Sequence, residues 1–201
     1  MDISIVEDAD IISNAVRLIL EGHDSEAALA LATLTLGDPV PTPRFTSVTE
    51  NKYSGSTLIE PLTTLMRVEI YERDGWRCRY CTRKLIVAGV LEILTSLCPG
   101  FKGLLPGHHM PFDRTEHAVE REYPNVDHVH AVSRGGAWLD PNNHVTACTP
   151  CNAKKSDKSG WNPGSIVKDD WDGLVSSYRP LANRLDHVRP YHRWWFRALD
   201  V

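Results

Sequence analysis

Apolar positions recur at helical spacing in several separate stretches of the chain. Between residues 10 and 21, Ile11, Ile12, Ala15, Val16, Leu18 and Ile19 line one face, and Gly22 follows as a stop. This predicts a first helix. A second is predicted from Ser25 to about Leu34, capped by Asp24 or Ser25, giving a small helical hairpin. Residues 37–56 lose the period, are rich in Pro, Thr, Ser and Gly, and read as a linker or wrapping loop. The period returns over 62–73, a third predicted helix, and Asp74-Gly75 then turns the chain into a short β-hairpin. Residues 85–97 are apolar enough for a helix, whereas 98–124 carry Pro, Gly and three His and look irregular. Residues 126–147 read as two short strands joined by Ser133-Arg134-Gly135-Gly136. Thr149 as N-cap and Pro150 as first helical residue predict a helix that stops at Gly160. Two further helices are predicted near 169–177 and 191–199, separated by Pro180 and Pro190.

The resulting fold class is α+β. A length of 201 residues allows one medium domain, or a core with appendages, and suffices for a buried core without disulfide staples. With 42% hydrophobic and 24% charged residues, the chain reads as soluble and globular rather than disordered or fibrous. No apolar run approaches the roughly 20 residues that cross a bilayer, so no membrane partner is expected. The start Met1-Asp2-Ile3-Ser4 lacks a basic, apolar leader, which makes a cytoplasmic location the expectation.

Charge refines this picture. The net charge of −4 argues at first against a nucleic-acid partner, but it is unevenly spread. Residues 1–66 hold three Lys/Arg against ten Asp/Glu, residues 67–160 hold 13 against 11, and residues 161–201 hold six against five. The acidity therefore belongs to the N-terminal third, which is a candidate surface for a homodimer or a protein partner. The mildly basic middle permits phosphate contacts.

The five cysteines include two Cys-x-x-Cys pairs, Cys78/Cys81 and Cys148/Cys151. Two-residue spacing lets both thiolates of a tight turn reach one tetrahedral Zn²⁺. A redox reading lacks the surrounding βαβ pattern. Four sulfurs close the shell, so this zinc is expected to be structural, with chemistry placed elsewhere. The 66 residues between the pairs exceed a compact ribbon, so the interval must hold something more. Cys98 is left over and reads as a small buried residue.

That interval contains Val126-Asp127-His128-Val129-His130 and leads through Asn142-Asn143-His144 to Cys148. Phosphodiester hydrolysis needs a base for water, a metal to polarise the phosphate, and a group that orients the base. His128 offers an imidazole that titrates near neutrality, and Asp127 a hard oxygen ligand. Neighbours on a strand face opposite ways, so a strand end or bulge is needed to bring both to one site.

The run Cys78-x-x-Cys81, Asp127-His128, Ser133-Arg134-Gly135-Gly136, Asn143, Cys148-x-x-Cys151-Asn152-x-x-Lys155 resembles the zinc-containing HNH endonucleases. The resemblance spans about residues 62–160. It implies a ββα-metal core with a structural zinc, flanked by helical extensions at 1–61 and 161–201 and carrying an insertion at 85–125. It further implies a DNA endonuclease with His128 as general base, and Asp127 and Asn152 holding one catalytic Mg²⁺ or Mn²⁺. Asn143, or less fittingly Asn142, would orient the imidazole through its side-chain carbonyl. The products implied are 5′-phosphate and 3′-hydroxyl ends. Many members carry His at the position of Asn152, and an amide oxygen binds transition metals less tightly than imidazole. The elements Trp171-Asp172-Gly173-Leu174 and Tyr191-His192-Arg193-Trp194-Trp195-Phe196, with the long insertion, are similar to a bacterial group within that family.

Around this core, Arg134, Lys154 and Lys155 are expected to contact the DNA backbone. His130 and His144 flank the site, with phosphate contact and plain packing both open. His108, His109 and His117 read as loop or packing residues, and Trp161, Trp171, Trp194, Trp195 and Phe196 as core. The competing functions are a zinc-stabilised nucleic-acid-binding module without catalysis and a protein-interaction subunit. Retention of Asp127, His128 and Asn143 together favours the enzyme, since binding alone needs no such set.

Overall fold

The computed structural model describes residues 7–34, 36–39, 62–98, 115–117 and 121–201. Helix α1 (Asp8–Glu21) buries Ala9, Ile12, Ala15, Val16 and Ile19, the stripe that the sequence pattern picks out. Gly22 ends it at φ 88°, a left-handed backbone that glycine adopts without a Cβ penalty, and donates its N–H to the Ile19 carbonyl. Helix α2 (Asp24–Leu31) starts one residue early, with His23 as an N-cap that makes no side-chain cap bond. The expected Asp24 or Ser25 cap is thereby corrected: Asp24 lies inside the first turn, where its charge favours the helix N-terminus.

Strand β1 (Leu36–Pro39) pairs antiparallel with β2 (Thr115–His117), Leu36 opposite His117. The start of the expected linker is therefore paired backbone, fixed by a partner distant in sequence that local composition does not reveal. The rest of that linker lies outside the described residues, as do His108, His109 and the His117 side chain. Helix α3 (Thr64–Arg73) is capped by Thr63, whose hydroxyl accepts from the Met66 N–H at 3.2 Å. Helix α4 (Ala88–Leu97), at the head of the insertion, buries Gly89, Val90, Leu91, Ile93 and Leu94 and so runs through the core.

Strands β3 (Pro124–His128) and β4 (His144–Cys148) form an antiparallel pair that feeds helix α5 (Thr149–Lys155). This is the expected ββα unit. Cys148, not Thr149, is the N-cap of α5, because its sulfur accepts from the Cys151 N–H at 3.4 Å. The helix ends at Lys155 rather than near Gly160, since Ser156 takes a non-helical φ of 51°. The tail forms α6 (Val175–Ala182) and α7 (Pro190–Ala198). Pro180 sits inside α6 instead of separating two helices. It lies on the exposed face with Ser176, four residues back, whose carbonyl loses the helical hydrogen bond that a proline cannot donate.

One large buried cluster draws on both flanks and on α4, joining Ile12 and Ile19 with Tyr71, Ile93, Tyr178, Leu181 and Phe196. Trp171 and Trp195 pack against it, whereas Trp194 departs from the expected core role at 63% exposure. A second, small cluster of Cys78, Leu85, Ala147 and Cys148 lies under the cysteine pairs. The start of α1 is tied to the middle of the chain by ion pairs: Asp8 with Arg121 at 2.5 Å and Asp10 with Lys84 at 2.6 Å.

Candidate active site and zinc site

The Cys78–Cys81 turn is held by Cys78 N–H to the Arg83 carbonyl at 2.9 Å and Thr82 N–H to the Cys78 carbonyl at 2.8 Å. It docks on β4 through Arg79 N–H to the Thr146 carbonyl at 2.8 Å. Cys148 and Cys151 approach from the β4–α5 junction. The four sulfurs all lie within 4.8 Å of one another, and Cys81 Sγ and Cys148 Sγ are 3.8 Å apart. A tetrahedron with Zn–S bonds of about 2.3 Å has edges of about 3.8 Å, so the donor set fits zinc. Hydrogen bonds from Cys148 and Cys151 pull the Cys81 thiol below its ordinary range, toward the thiolate that a metal requires.

Buried Asp74 locks this turn to the strands. Its carboxylate accepts from Arg79 at 2.9 Å, from Arg73 at 3.0 and 3.1 Å, and from the Thr146 N–H at 2.7 Å. Burial pushes the carboxyl up, but those donors outweigh it and hold it below the ordinary carboxylate range. Arg73 also donates to the His144 carbonyl at 2.7 Å, fixing the start of β4.

On β3 the register runs unbroken, with Asp127 opposite Val145 and His128 opposite His144. No bulge turns Asp127 and His128 to one side, and the two side chains take different partners. The Asp127 carboxylate is 6% exposed. It faces α5, where the Lys155 ammonium lies 3.1 and 3.0 Å from its two oxygens. The Tyr80 hydroxyl donates to the same carboxylate at 2.6 Å. Lys155 is fully buried and also donates to the His128 carbonyl at 2.7 Å. The expected contact of Lys155 with DNA is therefore corrected: its charge is spent inside the protein, where only a paired ammonium is tolerated.

Opposed residues of an antiparallel pair share a face, and His128 and His144 do. Their Nε2 atoms are 3.2 Å apart. The Trp138 carbonyl oxygen lies 3.1 Å from the His128 Nε2 and 2.7 Å from the His144 Nε2. The Trp138 indole stacks on the His128 ring at 4.8 Å. His128 is half-buried, and its pKa is lowered, chiefly by burial and further by His144, against the opposing pull of the Trp138 carbonyl. Burial thus favours the neutral imidazole.

Asn143 does not orient that imidazole. Its side-chain carbonyl accepts from the His130 N–H at 2.8 Å, and its amide donates to the carbonyls of His130 at 3.0 Å and Ala137 at 2.9 Å. The correction has a plain cause: the loop between β3 and β4 carries backbone groups that the strands leave unpaired, and the carboxamide satisfies three of them. A Cβ at Gly136 in the same loop would come within 1.9 Å of the His130 carbonyl oxygen, so the turn needs glycine there. Asn142 is exposed, with its N–H on Asp140 at 2.9 Å. Asn152 is half-buried on the first turn of α5. Arg134 is exposed on the loop, 3.3 Å from Asp157, and Lys154 is exposed on α5.

Residues 113–158 match the family model for HNH endonuclease. This stretch is similar to the HNH endonucleases. It covers under a quarter of the chain, so Cys78 and Cys81 lie outside it and meet Cys148 and Cys151 in the four-sulfur cluster. No curated protein and no solved structure matches the chain. Sequence reasoning missed the roles of Tyr80, Trp138, Lys155 and His144 around the HNH strands. The register that sets His144 opposite His128 depends on the long loop between β3 and β4, which the sequence pattern does not fix.

Proposed function

We propose that the chain is a metal-dependent endonuclease that hydrolyses DNA phosphodiester bonds, with His128 as the general base. One observation carries this reading: a neutral, half-buried imidazole is held by its Nε2 edge at the mouth of a ββα unit that matches the HNH family. A neutral imidazole carries one proton. With that proton on Nε2 and donated to the Trp138 carbonyl, the lone pair sits on Nδ1. Nδ1 then takes the proton of the attacking water. Trp138, stacked on the ring, keeps the imidazole from swinging away.

Asp127 and Asn152 offer oxygen donors of the kind that Mg²⁺ and Mn²⁺ take. Asp127 is paired with Lys155 and Tyr80 on the other face of β3 from His128, so holding a cation beside the imidazole would require it to leave those partners. When bound, such an ion polarises the phosphate and stabilises the leaving oxygen. Lys155 competes for the same carboxylate and neutralises Asp127 meanwhile. Arg134 and Lys154, both exposed, contact backbone phosphates.

The test is plasmid cleavage in Mg²⁺ or Mn²⁺ with a chelator control. His128→Ala is expected to lower the rate by about 10²–10⁴ while zinc content and DNA binding persist. Cleavage by that variant at the wild-type rate would leave a zinc-stabilised binding module as the better reading.

A further inference from the structure

The two imidazoles beside the Trp138 carbonyl form a cluster that base chemistry alone does not require. His144 is 1% exposed, yet it presents Nε2 to another ring nitrogen at 3.2 Å and to a carbonyl oxygen at 2.7 Å, with the His128 Nε2 3.1 Å from that oxygen. If both rings carry their proton on Nε2, two N–H groups converge on one oxygen, with their nitrogens only 3.2 Å apart. Ligands about 2.1 Å from a metal sit about 3.0 Å apart at the corners of an octahedron and about 3.4 Å apart in a tetrahedron. The three distances here, 2.7, 3.1 and 3.2 Å, fall close to that range. Four cysteines account for the structural zinc, and none of them belongs to this cluster.

We propose that His128 Nε2, His144 Nε2 and the Trp138 carbonyl bind a borderline transition-metal ion such as Ni²⁺, Cu²⁺ or Zn²⁺. Imidazole nitrogen suits these ions, and Mg²⁺ disfavours it, so the site discriminates between the two classes of cation. Half-buried His128 provides the open side, where water completes the shell.

Binding has a chemical consequence, which rests on the reading of His128 as base. A metal on Nε2 takes that lone pair, and the neutral ring then keeps its single proton on Nδ1. The atom that accepts the water proton is blocked. A transition metal therefore silences the hydrolysis that Mg²⁺ or Mn²⁺ supports, by fixing the wrong tautomer.

The experiment uses the zinc-loaded full chain and Ni²⁺ as the probe. Equilibrium dialysis is expected to show one Ni²⁺ equivalent in the wild type that His144→Leu loses, with zinc content and circular dichroism unchanged. Taking the difference removes Ni²⁺ held by the other histidines. Cu²⁺ electron paramagnetic resonance on the wild type covers the case in which the variant fails to fold, with hyperfine splitting from two imidazole nitrogens expected. Equal Ni²⁺ uptake by wild type and a folded His144→Leu, or a Cu²⁺ spectrum without two nitrogens, overturns the site. Cleavage in Mg²⁺ is expected to fall over the Ni²⁺ range in which the site fills. If Ni²⁺ fills it and cleavage persists, the metal site stands and His128 is not the base.

Discussion

At the residue scale, the sequence marks candidate reactive side chains but not the neighbours they meet. Asp127 and His128 are legible as a chemically loaded dipeptide, but the alternation of strand side chains sends them to different faces. Lys155 looks from its spacing like a solvated helix lysine. Only the packing of α5 against β3 shows that its ammonium ends on Asp127. Asn143 bonds to loop backbone rather than to the imidazole, because a carboxamide's partners depend on loop geometry. A prediction follows for Lys155. Truncating one member of a buried ion pair leaves the other charge unpaired, at a cost of about 3–5 kcal/mol. Lys155→Met is expected to lower the urea midpoint accordingly, and adding Asp127→Asn is expected to recover much of the loss. A single variant within 1 kcal/mol of wild type would mean that the pair contributes little.

At the element scale, helices with a clean apolar stripe were readable to within a few residues, as α1 and α7 show. The short β1–β2 pairing was not, since three or four residues carry too little pattern and the partners are far apart in sequence. The cysteine pairs were the clearest signal, because a shared metal explains both spacings and the four sulfurs do meet. Their small cluster of Cys78, Leu85, Ala147 and Cys148 is distinct from the main core. A zinc held there would contribute more to stability at this end than apolar burial does. Chelating the zinc is expected to strip amide-exchange protection from residues 76–84 and 144–155. Helices α1, α4 and α6 should retain theirs. Unchanged protection in the cysteine turns after complete zinc removal would refute that local role.

At the scale of the whole molecule, the flanks read from sequence as appendages share one core with the centre. Periodicity marks which face of a helix is buried but not which other helix covers it. The seam between α1 and the centre also holds Glu122, fully buried, with Oε1 on Arg83 at 2.9 Å and Oε2 without a hydrogen-bond partner. Burial, aided by Asp8 and Glu7 and opposed by Arg83, pushes its carboxyl up to about 8. A carboxyl whose folded pKa is raised favours the fold when protonated. That contribution is full below its ordinary value of 4.5 and is lost as pH rises through about 8. Glu122→Gln is expected to flatten the decline of the unfolding midpoint between pH 4.5 and 8. An unchanged pH profile would show that Glu122 is charged in the folded protein.

The ion pairs of this architecture also set how binding responds to ionic strength. Arg73 and Arg79 serve Asp74, Arg77 serves Asp169, and Lys155 serves Asp127. Arg83 serves Glu122, Lys84 serves Asp10, and Arg121 serves Asp8. Among the described residues of the ββα unit, the cations exposed near α5 are Arg134, which also faces Asp157 at 3.3 Å, Lys154 and Lys158. Each cation that meets a phosphate releases condensed counterions, with a slope of about −0.9 per contact in log affinity against log salt. Three contacts give a slope of about −3, so DNA affinity is expected to fall only modestly as salt rises from dilute to physiological. A measured slope of about −8 or steeper would show that cations beyond these three meet the DNA.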